Sequence, residues 1–168
     1  MTRLRLLTGA PGAGKTALLP HLTAYRGRIV AADFDEVLDA RGTVLGTDIT
    51  GPAAEPLWPA YNRLWARFAR ILLRSDAVPV LLCPLSPDEW RSAAVGLLDG
   101  VEVAWARLDC ADGDRRTRLA ARGWDARRIA AALDDAAELR RTVPRSFSST
   151  GRSPADLAAD VAAWAAAP

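Results

Sequence analysis

Apolar residues in this chain fall into two alternating rhythms. Short runs with little polar interruption occur at Leu4-Arg-Leu-Leu7, Arg28-Ile-Val-Ala-Ala32, Val78-Pro-Val-Leu-Leu-Cys83 and Val101 to Leu108. Runs of this length and composition predict strands, and their continuity predicts burial on both faces, since a half-wet strand would alternate. Between them the spacing turns helical. Ala17 to Leu22 starts one helix, and residues 57–74 predict an amphipathic one with Tyr61, Leu64, Trp65, Phe68, Ile71 and Leu72 on a single face. Residues 113–122 and 126–141 predict two arginine-rich helices around Gly123-Trp124. Val143 to Ser148 is a weaker fifth strand.

Local chemistry sharpens several boundaries. Ser86-Pro-Asp-Glu89 has a hydroxyl cap, a proline in the first turn and a glutamate to close a capping box. Ser153-Pro-Ala-Asp156 starts a last helix in the same way, with Leu157, Val161 and Trp164 turned to the core. Gly42 to Pro52 reads as a glycine-punctuated loop. Strands alternating with helices imply an α/β fold with a parallel sheet covered on both faces. No linker-like stretch divides the chain, so residues 1–168 are expected to form one domain.

One segment carries specific chemistry. Gly9-Ala10-Pro11-Gly12-Ala13-Gly14-Lys15-Thr16 fits G-x-x-x-x-G-K-[ST], a phosphate-cradling loop set between a strand and a helix. Gly9, Gly12 and Gly14 let backbone N–H groups turn inward toward an anion. The first helical turn, with Thr16 and Ala17, adds unpaired N–H groups and the positive end of the helix dipole. In this motif the lysine reaches the β- and γ-phosphates of a nucleotide and the threonine hydroxyl binds Mg²⁺, so ATP and Mg²⁺ are the expected cofactors. Lys15 is the only lysine among 22 basic residues. A compact ammonium threads between backbone amides where a broad, planar guanidinium would collide.

Composition narrows the partners. A chain of 168 residues with 50% hydrophobic content can bury a proper core. The net charge of +2 is nearly balanced, which argues against nucleic acid as partner. No apolar run is long enough to span a bilayer and the first residues lack a secretory signal, so neither a membrane partner nor export is expected. Cys83 and Cys110 lie at the ends of apolar runs without the spacing of a zinc site and read as buried, reduced thiols. That suits a cytoplasmic location.

With these motifs in place, the chain resembles the small P-loop kinases of the nucleoside monophosphate kinase-like group, whose relatives include shikimate and gluconate kinases, chloramphenicol phosphotransferase and zeta-type toxins. The likeness runs through the phosphate loop, Asp33-Phe-Asp35, Leu108-Asp-Cys-Ala-Asp112, Arg118-Leu-Ala-Ala-Arg-Gly123 and Ser149-Thr-Gly-Arg-Ser-Pro154. It implies a three-layer P-loop NTPase fold, a five-stranded parallel sheet of order 2-3-1-4-5, a helical lid near 111–141 and an acceptor region near 36–67. It also implies an ATP-dependent phosphotransferase acting on the hydroxyl or phosphate of a small molecule. A polynucleotide 5′-kinase and a nucleotide-binding regulator are the alternatives.

The resemblance assigns roles residue by residue. An aspartate after strand two contacts the acceptor hydroxyl or helps hold Mg²⁺. Asp33 is the first choice, with Asp35 able to take its place, and Thr16 and Asp33 are the expected metal ligands. One of the two carboxylates could instead cap a helix at Glu36-Val-Leu-Asp39. Arg118 and Arg122 match the lid pattern R-L-x-x-R and would neutralise charge on the transferred phosphoryl group, with Arg115 beside them on the nucleotide. Ser148 to Gly151 would frame the base. Trp58, Tyr61 and Trp65 are candidates to stack on the acceptor and Asn62 and Arg63 to orient it, with Tyr61 and Trp65 otherwise read as core. Strand three ends Leu82-Cys83-Pro84, with no acid for the metal. That departure points to a small-molecule kinase over a mechanical ATPase.

Overall fold

Asp33, Cys83 and Asp109 close three strands of one parallel sheet, and the phosphate loop leaves a fourth that lies between the strands of Cys83 and Asp109. The computed structural model describes residues 3–44, 46–49 and 52–167. In chain order the strands are β1 (Arg3–Thr8), β2 (Ile29–Asp33), β3 (Thr43–Val44), β4 (Thr47–Asp48), β5 (Val78–Cys83), β6 (Glu102–Asp109) and β7 (Ser146–Ser148). The helices are α1 (Lys15–Leu22), α2 (Trp58–Leu72), α3 (Pro87–Ala94), α4 (Asp112–Ala121), α5 (Ala126–Thr142) and α6 (Pro154–Ala166). The sheet runs β2-β5-β1-β6-β7, all parallel, with Leu7 opposite Leu82 and Ala106. Counting its five strands alone, that is the expected order 2-3-1-4-5.

The continuous apolar runs follow from burial on both faces. Leu7, Val80, Leu82, Ala106 and Leu108 pack against α1 and α6 through Leu18, Leu22, Leu157, Val161 and Trp164. Leu4, Leu6, Leu81 and Cys83 point the other way, to Phe34, Trp65, Ala66, Ala69 and Trp90. Cys83 and Cys110 are free and buried.

Caps behave as their chemistry dictates. The Glu89 amide donates to Ser86 Oγ at 3.3 Å, and Glu89 Oε2 accepts the Ser86 amide at 2.7 Å. Gly123 ends α4 with φ 75°, its amide bonded to Ala120 O and that of Trp124 to Leu119 O, the paired bonds of a Schellman turn. Arg5, buried in β1, donates to Ala165 O at 3.2 Å and Ala167 O at 2.6 Å and so places a cation at the negative end of α6.

Three expectations need correction. On α2 the buried line is Trp65, Ala66 and Ala69, whereas Leu64, Phe68 and Ile71 are exposed. The helix turns its small residues inward because they allow close approach to the sheet. The loop of residues 42–52 contains the short antiparallel hairpin β3-β4, and its Leu45, Thr50 and Gly51 lie outside the described residues. The turn after β2 is a 3₁₀ turn at Phe34–Val37, not a helix at 36–39, because Asp33 caps it earlier and Leu38 is already extended.

Candidate active site

The phosphate loop joins β1 to α1 and is tied down on its flanks. The Gly9 amide donates to Cys83 O at 3.1 Å, and the Ala13 amide to Ala10 O at 3.2 Å. Gly12 and Gly14 take φ of 81° and 104°, which side-chain-bearing residues rarely adopt. A Cβ on Gly9 would lie 2.8 Å from Leu108 O, so the loop and β6 touch backbone to backbone.

Helix α1 starts at Lys15, and its cap, Gly14, offers no side chain to the first N–H groups. By contrast Ser86, Asp125 and Ser153 cap α3, α5 and α6 with oxygens. An uncapped helix start behind a glycine loop is a site for an anion. Thr16 and Ala17 in this turn are exposed. The Lys15 ammonium donates to Gly9 O. Burial lowers the Lys15 pKa, against the opposing pull of the Asp33 and Asp35 carboxylates.

Asp33 is buried at the end of β2, and Asp35 is exposed two residues on. Asp33 Oδ1 accepts the Asp35 amide at 3.2 Å while Glu36 Oε2 accepts the Asp33 amide at 2.9 Å, so the pair forms a capping box. Burial, only partly offset by Lys15, raises the Asp33 pKa to about 6. Phe34 then plugs the core, stacked on Trp65 at 4.5 Å with Tyr61 at its edge, and Tyr61 Oη donates to Phe34 O. The fold thus sets Lys15 and Asp33 within reach of each other's charge. Trp65 is core, while Trp58, Asn62 and Arg63 line a cavity of about 440 Å³ between α2 and α3.

The arginines of α4 divide. Arg115 is completely buried. Its guanidinium donates to Ala10 O at 3.3 Å, to Pro11 O, and to Asp109 Oδ1 at 2.8 Å. With no exposed surface, it supports the loop through these carbonyls. Arg118 joins loop to loop, donating to Gly12 O at 3.1 Å, Ser149 Oγ at 2.8 Å and Ser149 O at 3.2 Å. Ser149 Oγ in turn donates to Ala13 O at 2.8 Å, which brings the 148–151 loop against the phosphate loop. Arg122 is exposed, and its side chain makes no hydrogen bond or ion pair among the described residues.

Asp109, one residue of the Leu108–Asp112 motif, has a structural role that its local sequence does not reveal. Its carboxylate holds Arg115 and also accepts from Arg140 Nε at 2.8 Å. Burial works against its charge, but hydrogen bonds from Arg140 and the Cys110 amide outweigh this and hold its pKa below the ordinary value. Ala136 and Leu139 of α5 pack on Ala10, so both lid-region helices bear on the loop. The signal available in sequence was an acid at a strand end followed by arginines 6 and 31 residues later.

No protein-family model matches the chain, and no curated protein matches it in sequence. Solved structures do match in fold. An unliganded sugar kinase from Janibacter sp. HTCC2649 superposes with TM-score 0.63 at 17% identity, over 98% of this chain and 94% of its own. Shikimate kinase from Acinetobacter baumannii, in complex with shikimate, gives 0.65 at 14%, over 96% and 90%. The tunicamycin resistance protein of Deinococcus radiodurans gives 0.66 at 18%, over 96% and 94%. The chain has the fold of the small P-loop kinases. Among its described residues no helix is long and apolar enough to cross a membrane.

Proposed function

We propose that this protein is an ATP-dependent phosphotransferase whose acceptor is a small molecule. The observation that carries this reading is Lys15, at the uncapped start of α1, sharing the carboxyl edge of the sheet with the buried Asp33 whose charge it feels. Ligands of open α/β sheets bind at that edge. The loop amides and Lys15 would hold the phosphate tail, and Arg118 and Arg122 would approach the transferred group. Asp33 would orient the acceptor hydroxyl and take its proton, a task suited to a carboxylate titrating near neutrality.

The donor set fits magnesium. An exposed Thr16 hydroxyl and the Asp33 carboxylate are hard oxygen ligands, and Mg²⁺ is commonly held by one or two such groups plus substrate phosphates. When bound, the ion neutralises charge on the phosphate oxygens. Among the described residues no cluster of three or more acids, histidines or cysteines competes as an all-protein metal cage.

The test is an ADP-release screen over nucleosides, sugars, cyclitols and their phosphates. Acceptor-dependent release that disappears in both Lys15→Ala and Asp33→Asn is the expected result. Tight ATP binding with no turnover on any acceptor would instead identify a nucleotide-binding regulator.

A further inference from the structure

Helix α2 carries an apolar stripe that the described residues leave largely uncovered. Leu57, Tyr61, Leu64, Phe68 and Ile71 recur at spacings of four and three, the seam of a heptad repeat. Tyr61 is half-buried, and the other four are between 39% and 57% exposed. Tyr61 and Trp65 lie against Phe34, which follows β2, an outer strand, so α2 runs along a free margin of the sheet. By helical spacing the seam has two borders. On one side Trp65 and Leu72 turn to the sheet. On the other Arg67 and Arg74 stand exposed, with no side-chain hydrogen bond or ion pair among the described residues.

The stripe matches itself when run antiparallel. With a two-fold axis crossing α2 between Leu64 and Phe68, Leu64 meets Phe68 of the second copy and Tyr61 meets its Ile71. Each of these layers joins one aromatic to one aliphatic side chain, so all fill about the same volume. A parallel pairing would set Tyr61 on Tyr61 and Phe68 on Phe68, alternating bulky layers with slack ones. The area is also sufficient. The four exposed seam residues present on the order of 400 Å² of apolar residue surface, a patch of the size that marks interaction sites. With Tyr61 and the stems of Arg67 and Arg74 the face reaches roughly 700 Å² per copy, close to the ~800 Å² of a stable interface.

We infer that α2 is the interface of a two-fold homodimer, in which two copies of this chain pack their α2 seams antiparallel. This goes beyond the kinase reading and does not depend on it. An antiparallel two-fold pair sets like borders together, so Arg67 and Arg74 of one copy share a flank with those of the other. The arginines repel one another, and the apolar layers hold the dimer. Salt screens the repulsion and leaves apolar burial intact. An anionic lipid surface or an acidic protein would use the same arginines as attraction, and salt would weaken its hold. Asp35, whose charge reaches the Tyr61 hydroxyl, also opposes an anionic surface at this face.

The test is sedimentation equilibrium on the full chain over a concentration series, at low and high salt. A species of twice the 18.0 kDa chain mass should form, with a micromolar dissociation constant that salt leaves unchanged or tightens. Leu64→Glu should weaken it by at least about tenfold, because the symmetry enters the change twice. Its melting temperature, taken at a dilution where parent and variant are both monomers, should match the parent's, since Leu64 lies outside the buried core. Arg67→Cys, beside the axis, should join two copies through a short bismaleimide, and Arg70→Cys, turned away from the seam, should not. A chain that stays monomeric at every concentration overturns the inference. So does a dimer that Leu64→Glu leaves intact, or one cross-linked through Arg70→Cys and not through Arg67→Cys. Monomers that bind vesicles of phosphatidylcholine and phosphatidylserine, and release them in salt or on Leu64→Glu, would overturn it in favour of lipid.

Discussion

Asp109 Oδ1 lies 2.8 Å from Nη2 of Arg115, and the same guanidinium holds the carbonyls of Ala10 and Pro11. A strand-end acid thereby sets the position of a loop one strand away, through a side chain with no exposed surface. Breaking a buried pair strands the surviving charge, and such losses cost about 3–5 kcal/mol. Asp109→Asn should therefore lower unfolding free energy by roughly that amount, somewhat less because the carboxylate is not fully buried. Urea denaturation measures it, and ATP affinity should fall in parallel as the loop loosens.

Asp33 links stability to pH in the direction opposite to a salt-bridged acid. Its pKa rises from 3.8 to about 6 on folding, chiefly by burial. Between those values the folded state keeps a proton that the unfolded chain has released. Stability from this group is present in full below about pH 3.8 and is lost as pH climbs to about 6, by an amount on the order of 3 kcal/mol. Asp33→Asn, whose amide can still cap the turn, should be more stable than the parent at pH 7 and fall level with it near pH 4, read by thermal melts across that range. Transfer needs the ionised carboxylate, so the parent's rate should rise with pH through an inflection near 6.

Arg118 and Arg122 match one motif but should fail differently. Arg118→Ala removes bonds to Gly12 and Ser149 and should lower both melting temperature and kcat. Arg122→Ala breaks no side-chain hydrogen bond or ion pair among the described residues and should leave the melting temperature within about a degree. If Arg122 meets the transferred phosphoryl group, its loss should cut kcat by about 10²–10³-fold with little change in KM for ATP.

Gly9→Ala probes the backbone contact with β6. The added methyl would sit 2.8 Å from Leu108 O, an atom of a central strand that cannot step aside. A destabilisation of about 1–3 kcal/mol is expected, with weaker ATP binding because the loop itself must yield. Melting curves with and without nucleotide separate the two effects.

The sheet was legible because its signals are local. Val78 to Cys83 reads as a buried strand from six consecutive residues, and the Ser86 and Ser153 caps are spelled by neighbours within a turn. The face of α2 was not legible. Apolar spacing marks Leu64, Phe68 and Ile71 as readily as Trp65, and only the sheet's position selects the alanine side for burial. The loop contacts of Arg115 were not legible for a related reason. One-dimensional pattern ranks arginines on a helix alike, whereas burial of one guanidinium among loop carbonyls depends on where α4 lands.

By itself the sequence determined the α/β rhythm, the strand-loop-helix phosphate motif with its lone lysine, and the pair Asp33 and Asp35 at a strand end. These rest on backbone preference and on chemistry confined to a few successive residues. Tertiary structure alone decided that Asp33 is buried within reach of the Lys15 charge while Asp35 is exposed, and that Asp109 carries the loop through Arg115. Each of these depends on the packing of segments distant in the chain, and burial, which sets both charge state and partner, exists only once they have met.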